Sequence, residues 1–380
     1  MTRRREREAR PRRPRVLVAM SGGVDSSVAA AVLAREGYDV VGVTMKLHSD
    51  GTELPDRPCC SLDSANDARR VAERIGVPHY VINLESPFKR DVIDDFVSEY
   101  VAGRTPIPCV RCNTFTKFRD LVITADRIDA DFVATGHYAR VIHGALYRGT
   151  DDAKDQTYFL WGIDRAVLPR LMLPVGALTK AQTRALAAEL GLLHVAEKPE
   201  SQEICFVPDG NYANVLEQKL GADHPALSAG PLMTLEGTII GEHDGYARFT
   251  VGQRRGLPGG SAEAMYVVAI RPAERAVVIG PRDALLGRGV IARDVSWLSD
   301  RGPGIGDRVF ARVRHRAPLV AGEVVRSESN EIEIALESPI SAITAGQSLV
   351  LYDENDRVLG GGFIKTSSAS ARRALPLAMA

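Results

Sequence analysis

Seven consecutive residues, Ser21-Gly22-Gly23-Val24-Asp25-Ser26-Ser27, constrain this chain more than any other stretch. An apolar run, Val16-Leu17-Val18-Ala19-Met20, precedes them, and a helix-like segment from Ser27 to Arg35 follows. Strand, tight glycine turn and helix, in that order, make a phosphate-binding corner. The glycines let the backbone bend sharply and approach a ligand closely. The start of the helix offers N–H groups and the positive end of its dipole. No Gly-Lys-Ser/Thr follows, so the turn is not a Walker loop. A plain strand–helix turn without a ligand is the alternative. Seven fitting residues in the expected place weigh against it.

Around this corner the chain alternates short apolar runs with helical segments from residue 16 to about 209. Val16–Met20, Val40–Met45, Tyr80–Leu84 and Phe132–Thr135 read as buried strands, and 63–75, 88–102 and 116–129 as helices between them. Thr179-x-x-Gln182 forms a capping-box pattern for a further helix that runs to Leu190 and stops at Gly191. This is a doubly wound α/β pattern, in which ligands sit at the carboxyl ends of the strands.

After Asn211 the pattern shifts to Gly, Pro and short β-type runs, among them Met233–Leu235, Gly237–Ile240, Ala247–Val251, Met265–Ile270 and Ala276–Ile279. Later runs at Val309–Val313, Ala321–Val325, Ile332–Leu336 and Ser348–Tyr352 alternate apolar with polar residues, as in an antiparallel sheet or small barrel. The expected division is a basic tail (1–14), an α/β catalytic domain (15–209), a central β-rich domain (210–286), a C-terminal β-barrel-like domain (287–366) and a second tail (367–380).

Charge and cysteine usage narrow the setting. The chain has zero net charge, yet residues 1–15 hold eight Arg and two Glu, leaving 40 basic and 46 acidic residues elsewhere. That start reads as a solvated, disordered tail or as an auxiliary RNA-binding arm. Nucleic-acid binding elsewhere would rely on local patches. No apolar run approaches the ~20 residues of a membrane helix, and the first fifteen residues lack a signal-peptide core. Five cysteines in 380 residues do not make a secreted disulfide scaffold, so a reducing, cytoplasmic setting is expected.

Two of those cysteines lie in loop contexts where reactive groups commonly sit. Cys112 is in Pro108-Cys109-Val110-Arg111-Cys112-Asn113, and Cys205 in Ser201-Gln202-Glu203-Ile204-Cys205-Phe206. Brought together, one can hold a persulfide while the other resolves it as a disulfide. Cys109-x-x-Cys112 also matches half of a zinc site. A second ligand pair is needed, and neither the adjacent Cys59-Cys60 nor a His-x₃₋₅-His supplies it, so no metal site is expected in the protein itself.

Taken together these segments resemble the bacterial tRNA-specific 2-thiouridylase family, within the ATP pyrophosphatase superfamily. The likeness runs from about Arg15 to Lys365. It is carried by Ala19-Met20-Ser21-Gly22-Gly23-Val24-Asp25-Ser26, Cys112-Asn113 with Lys117-Phe118, Ala134-Thr135-Gly136-His137-Tyr138, Lys154-Asp155-Gln156, Ile204-Cys205-Phe206 and Gly252-Gln253-Arg254-Arg255-Gly256. The resemblance implies that the wobble uridine of a tRNA attacks the α-phosphate of ATP through O2, and that sulfur then replaces AMP at C2. ATP and Mg²⁺ are the implied cofactors. Ala19 to Ser26 are implied to hold the phosphates, and Met45 and Gly136 to meet the adenosine. By the same resemblance Cys205 carries the persulfide and Cys112 is the nucleophile that releases its sulfur. Lys154, Asp155, Gln156, Arg314 and His315 are implied tRNA contacts. The implied partners are the anticodon arm of tRNA and a protein persulfide donor, a cysteine desulfurase or relay carrier, with the enzyme itself a monomer.

Two positions depart from the family pattern. Many members carry an aspartate three residues before the first catalytic cysteine; here that residue is Cys109, so an acid–base role there does not carry over. His315 stands where some members have Tyr. A signal independent of the family is the even spacing of Arg308, Arg312, Arg314 and Arg316, alternating with Val309, Ala311 and Val313. On a strand this would present an arginine stripe to RNA phosphates, or an ordinary solvated face. Arg254 and Arg255 join that expected surface. His137 and Tyr138 read as packing or site-lining groups. The competing functions are an amide ligase using the same ATP chemistry and a non-catalytic RNA-binding protein.

Overall fold

The computed structural model describes residues 12–48, 62–198, 204–207, 210–257 and 263–367. Cys59, Cys60, residues 1–11, Ser201 to Glu203 and the tail after Ser367 lie outside them. Five parallel strands form the first sheet: β1 (Arg15–Ala19), β2 (Asp39–Lys46), β3 (His79–Asn83), β4 (Phe132–Ala134) and, after a hairpin of β5 (Ala139–Ile142) and β6 (Ala145–Arg148), β7 (Leu171–Met172). Their order is β3-β2-β1-β4-β7. The chain leaves β1 to one side and returns on the other, so the turn after β1 sits at the switch point where a doubly wound sheet opens a crevice.

Alternation along β1 builds both faces. Val16, Val18 and Met20 pack with α1 (Val24–Arg35) and α2 (Leu62–Ile75), whereas Leu17 packs on the opposite face. That second face is covered by α3 (Glu85–Phe88), α4 (Asp94–Val101), α5 (Pro108–Arg111) and α6 (Phe118–Arg127). The segments expected as helices 88–102 and 116–129 are interrupted or extended by π-helical turns at Lys89–Ile93 and Cys112–Lys117. Strand β3 is an edge, not a buried strand: Tyr80 is 60% exposed and Val81 48%. The capping box at Thr179 and Gln182 is present and opens α7 (Lys180–Glu189), which α8 (Leu193–Ala196) follows.

The central region begins with a helix, α9 (Tyr212–Leu220), that the Gly/Pro-rich composition conceals. A four-stranded sheet follows, made of β8 (Gly230–Met233), β9 (Ile239–His243), β10 (Tyr266–Arg271) and β11 (Ala276–Gly280). The expected strand Ala247–Val251 is instead a 3₁₀ turn at Tyr246–Arg248. Tyr246 is drawn inward there, and its hydroxyl donates to the Val101 carbonyl at 2.7 Å.

Six antiparallel strands close the C-terminal barrel: β12 (Leu286–Trp297), β13 (Arg308–Arg312), β14 (Val320–Ser327), β15 (Glu331–Ser341), β16 (Ser348–Tyr352) and β17 (Val358–Ser367). Closure leaves no sheet edge. The barrel is fastened to the first domain by Trp161 Nε1 donating to Ser348 Oγ (2.9 Å) and Gln347 Nε2 to the Thr105 carbonyl (3.1 Å). Arg12, expected in a free tail, is instead tied down: it pairs with Asp131 at 3.2 Å and donates to the Asp129 carbonyl. Among the described residues no helix is long and apolar enough to cross a membrane.

Candidate active site

The glycine corner is built as its sequence demands. Gly22 has φ +72°, and a Cβ there would lie 2.2 Å from the Ser64 carbonyl oxygen, so both conformation and space require glycine. Gly23 caps α1 without a side-chain hydrogen bond, which leaves the N–H groups of the first turn to a ligand. Ser26 is buried; its Oγ accepts from the Ser21 backbone N–H (3.1 Å) and fixes the loop's closure. Gly136, from the turn after β4, presses on this helix start: an added Cβ would meet Ser26 N at 2.4 Å. Met45, near the end of β2, is buried.

Asp25 has partners that no local pattern foretells. Lys180 Nζ lies 2.8 Å from both Asp25 oxygens, and Tyr138 Oη donates to Oδ1 at 2.8 Å. Tyr138 thus packs inside the first domain and also hydrogen-bonds at this corner. The 155 positions from Asp25 to Lys180 exceed any local pattern, so only the docking of α7 on α1 reveals the pair.

From this corner the chain leads on to residues that face the helix following Cys112. Next to Gly136 stands His137, whose Nδ1 hydrogen-bonds Thr135 Oγ1 (2.8 Å) and whose ring faces Phe118. Burial, then the Lys117 cation, hold its pKa down to about 3, so the imidazole stays neutral at physiological pH. Lys117 ends the π-helical turn that Cys112 begins, and Phe118 opens α6. Such turns are frequent at functional sites. Asn113 Nδ2 donates to the Phe159 carbonyl (3.0 Å), while Asn113 Oδ1, Thr114 Oγ1 and Thr116 Oγ1 are buried without a partner. Buried polar atoms usually find a partner in the protein or in ordered water.

Cys112 is 5% exposed, whereas Cys109, three residues earlier, and Cys205 are exposed. The two cysteine segments share an anchor. Phe206 packs edge-on against Phe88 (5.8 Å) and Phe96 (5.1 Å), in the same apolar cluster that takes in Cys112. Phe206 and Cys112 thus belong to one apolar core cluster.

The expected RNA surface needs correction. Strand β13 ends at Arg312, and residues 313–317 form a bend and turn, so the arginines do not form one stripe. Arg312 is 6% exposed and pairs with Asp155 at 2.8 Å. Asp155 is itself buried, and accepts from Thr157 Oγ1 and approaches Arg148 Nε at 3.6 Å. Gln156 turns its side-chain oxygen to the Tyr138 N–H (2.8 Å). Asp155 and Arg312 are therefore an interdomain ion pair and not a surface for RNA in this state. Arg254, Arg255, Arg314 and Arg316 remain exposed, and Lys154 is half-buried. His315 stacks at a tilt on Phe159 (4.4 Å between ring centres).

Among the described residues no group of three His, Cys, Asp or Glu side chains could hold a metal by itself. Magnesium commonly binds through one or two carboxylates plus substrate phosphates, and Asp25 is the carboxylate at this corner.

Comparison with known proteins places these features. Residues 14–209 match a family model described as a tRNA methyl transferase HUP domain, 216–281 a tRNA methyl transferase PRC-barrel domain, and 287–364 an aminomethyltransferase beta-barrel domain. The chain is 47% identical over 375 residues to the tRNA-specific 2-thiouridylase MnmA of Rhodospirillum centenum, with 95% of this chain and 94% of that one covered. The protein of the same description from Paracoccus denitrificans is 47% identical over 363 residues, 93% and 92% of the two chains. Among solved structures, a 4-thiouridine synthetase–RNA complex with bound ATP covers 55% of this chain and 51% of that one at 19% identity and a TM-score of 0.33, too loose a likeness to argue from.

Proposed function

The chain belongs to the tRNA-specific 2-thiouridylase family, and on that premise we propose that it thiolates the wobble uridine of tRNA at C2 with ATP as co-substrate. The uridine O2 attacks the α-phosphate, pyrophosphate leaves, and sulfur from a cysteine persulfide then displaces AMP. Activation is needed because a carbonyl oxygen is a poor leaving group and AMP a good one. The observation that carries this reading is that Gly136 lies close against the glycine corner, while its neighbour His137 faces Phe118, the residue that follows the Cys112 turn. It supports a reading in which ATP is used at the corner and the thiol chemistry takes place at the Cys112 turn. Methyl transfer, the word in two of the matched descriptions, would leave the two cysteine segments without a shared role.

Ser21, Gly22, Gly23, Val24, Asp25 and Ser26 hold the phosphates in this reading, and Met45 and Gly136 border the adenosine. Magnesium, when bound with the nucleotide, supplies charge neutralisation for the departing pyrophosphate. Neutral His137 and the orphaned polar atoms of the Cys112 turn line the place for the base. Cys205, exposed, accepts sulfur from a desulfurase or a relay carrier; Cys112, buried, acts inside. The protein acts as a cytoplasmic monomer.

Asp25→Ala tests the corner. Pyrophosphate release in the presence of tRNA is expected to fall about 100-fold or more, as when one preorganised electrostatic group is removed from an active site, with the fold retained. AMP and pyrophosphate formation at the wild-type rate would place the site elsewhere. An amide ligase with the same ATP chemistry is separated by ³⁵S: only the thiolation reading puts labelled sulfur on the protein and then on tRNA.

The exposed arginines carry a second expectation. Replacing Arg314 and Arg316 with Ala is expected to weaken tRNA binding and to lower the salt slope of log K by about one to two, roughly 0.9 for each phosphate no longer neutralised. Arg254→Ala with Arg255→Ala is expected to act in the same direction. An affinity that stays the same at low and at physiological salt for either pair would remove that pair from the interface.

A further inference from the structure

The glycine corner lacks a lysine in its own sequence, where a Walker loop would carry one to reach the phosphates. The fold brings one to it. Lys180 is the first residue of α7, held there by the Thr179 capping box and by its own backbone N–H donating to Asp151 Oδ2 at 2.9 Å. Its side chain is 12% exposed and reaches across to Asp25 in the first turn of α1, 2.8 Å from each carboxylate oxygen. The Tyr138 ring lies beneath the ammonium at 5.6 Å, and Tyr138 Oη shares Asp25 Oδ1. The ammonium is thus held at the mouth of a phosphate corner. A purely structural ion pair between α1 and α7 would serve anywhere along their packed faces; this one stands at the helix start where the N–H groups open.

We propose that Lys180 is the cation that meets the triphosphate, resting on Asp25 in the ligand-free protein and shared between Asp25 and the phosphates once ATP binds. As O2 of the uridine bonds to the α-phosphorus, the bond from that phosphorus to the bridging oxygen breaks, and its electron pair stays on pyrophosphate. The ammonium stabilises that charge without transferring a proton. The proposal rests on the ATP-site reading above.

Calorimetric titration of the full-length protein with ATP, inorganic pyrophosphate and adenosine tests it, using wild type, Lys180→Gln and Lys180→Arg. In Lys180→Gln, affinity for ATP and for pyrophosphate should fall about 10- to 100-fold, the loss expected for a charge-assisted hydrogen bond, while adenosine affinity stays the same. Lys180→Arg keeps the charge and should bind ATP within several-fold of wild type. If ATP binding by Lys180→Gln is unchanged, or falls in step with adenosine, Lys180 only supports the fold and the proposal is overturned. Wild-type protein that binds neither ATP nor pyrophosphate would instead sink the ATP-site reading itself.

Discussion

Cys112→Ser is expected to load sulfur onto Cys205 yet leave tRNA unthiolated, whereas Cys205→Ser should accept no sulfur. Both losses should reach background, because a hydroxyl neither carries a persulfide nor attacks one. The electron count requires two thiols. The outer sulfur of a Cys205 persulfide is at the sulfane level and must leave as sulfide. Attack of the Cys112 thiolate on Cys205 Sγ releases it and joins the two residues in a disulfide. An external dithiol must then reduce that bond before another cycle. Exposure fits that division: Cys205 is exposed, and Cys112 is 5% exposed in the apolar core. The two Cα atoms must close to about 4.4–6.8 Å during the cycle. Cys109→Ser, Cys59→Ser and Cys60→Ser are expected to keep most activity. Peptide mapping of the oxidised enzyme decides the matter. A Cys109–Cys205 bridge with full activity in Cys112→Ser would overturn the assignment.

What is legible in the sequence is whatever is local. Gly22 betrays itself because a turn with positive φ follows directly from its neighbours, and the Thr179 capping box because its partners stand three residues apart. Lys180 is illegible for the opposite reason. Its sequence surroundings describe an ordinary helix start, and its partner Asp25 belongs to another helix. The π-helical turn at Cys112 has no periodicity of its own. Arg312 misleads because alternation tells which residues share a strand face but not what that face meets. Val309 and Ala311 do face the barrel interior, as the pattern requires. Arg312 faces outward from it, and at that point the outside is the first domain and not water. Helix α9 is hidden among the glycines and prolines around it, since composition averages over a window longer than its nine residues.

The ion pair between Asp155 and Arg312 carries the largest expected effect on stability. Asp155 accepts from Thr157 Oγ1 and from Arg312 and stands beside Arg148, while Tyr352 Oη lies 3.0 Å from the Thr157 hydroxyl. Asp155 and Arg312 side chains are 0% and 7% exposed. Asp155→Ala leaves Arg312 charged, desolvated and without its carboxylate, and removing one partner of a buried pair costs about 3–5 kcal/mol. A surface residue binding RNA would cost next to nothing. Arg312→Leu should be milder than Asp155→Ala, because Arg148 still faces Asp155. The double variant Asp155→Ala/Arg312→Leu should therefore lose less than the sum of the two, with a coupling of about 0.5–3 kcal/mol typical of residues in one network. Guanidinium unfolding of the three variants measures it. Additive losses, or a wild-type midpoint in Asp155→Ala together with weakened tRNA binding, would return both residues to the RNA surface. The expected result makes this cluster the rivet that sets the barrel against the catalytic domain, so that the exposed Arg314 and Arg316 are held at a fixed distance from the Cys112 turn.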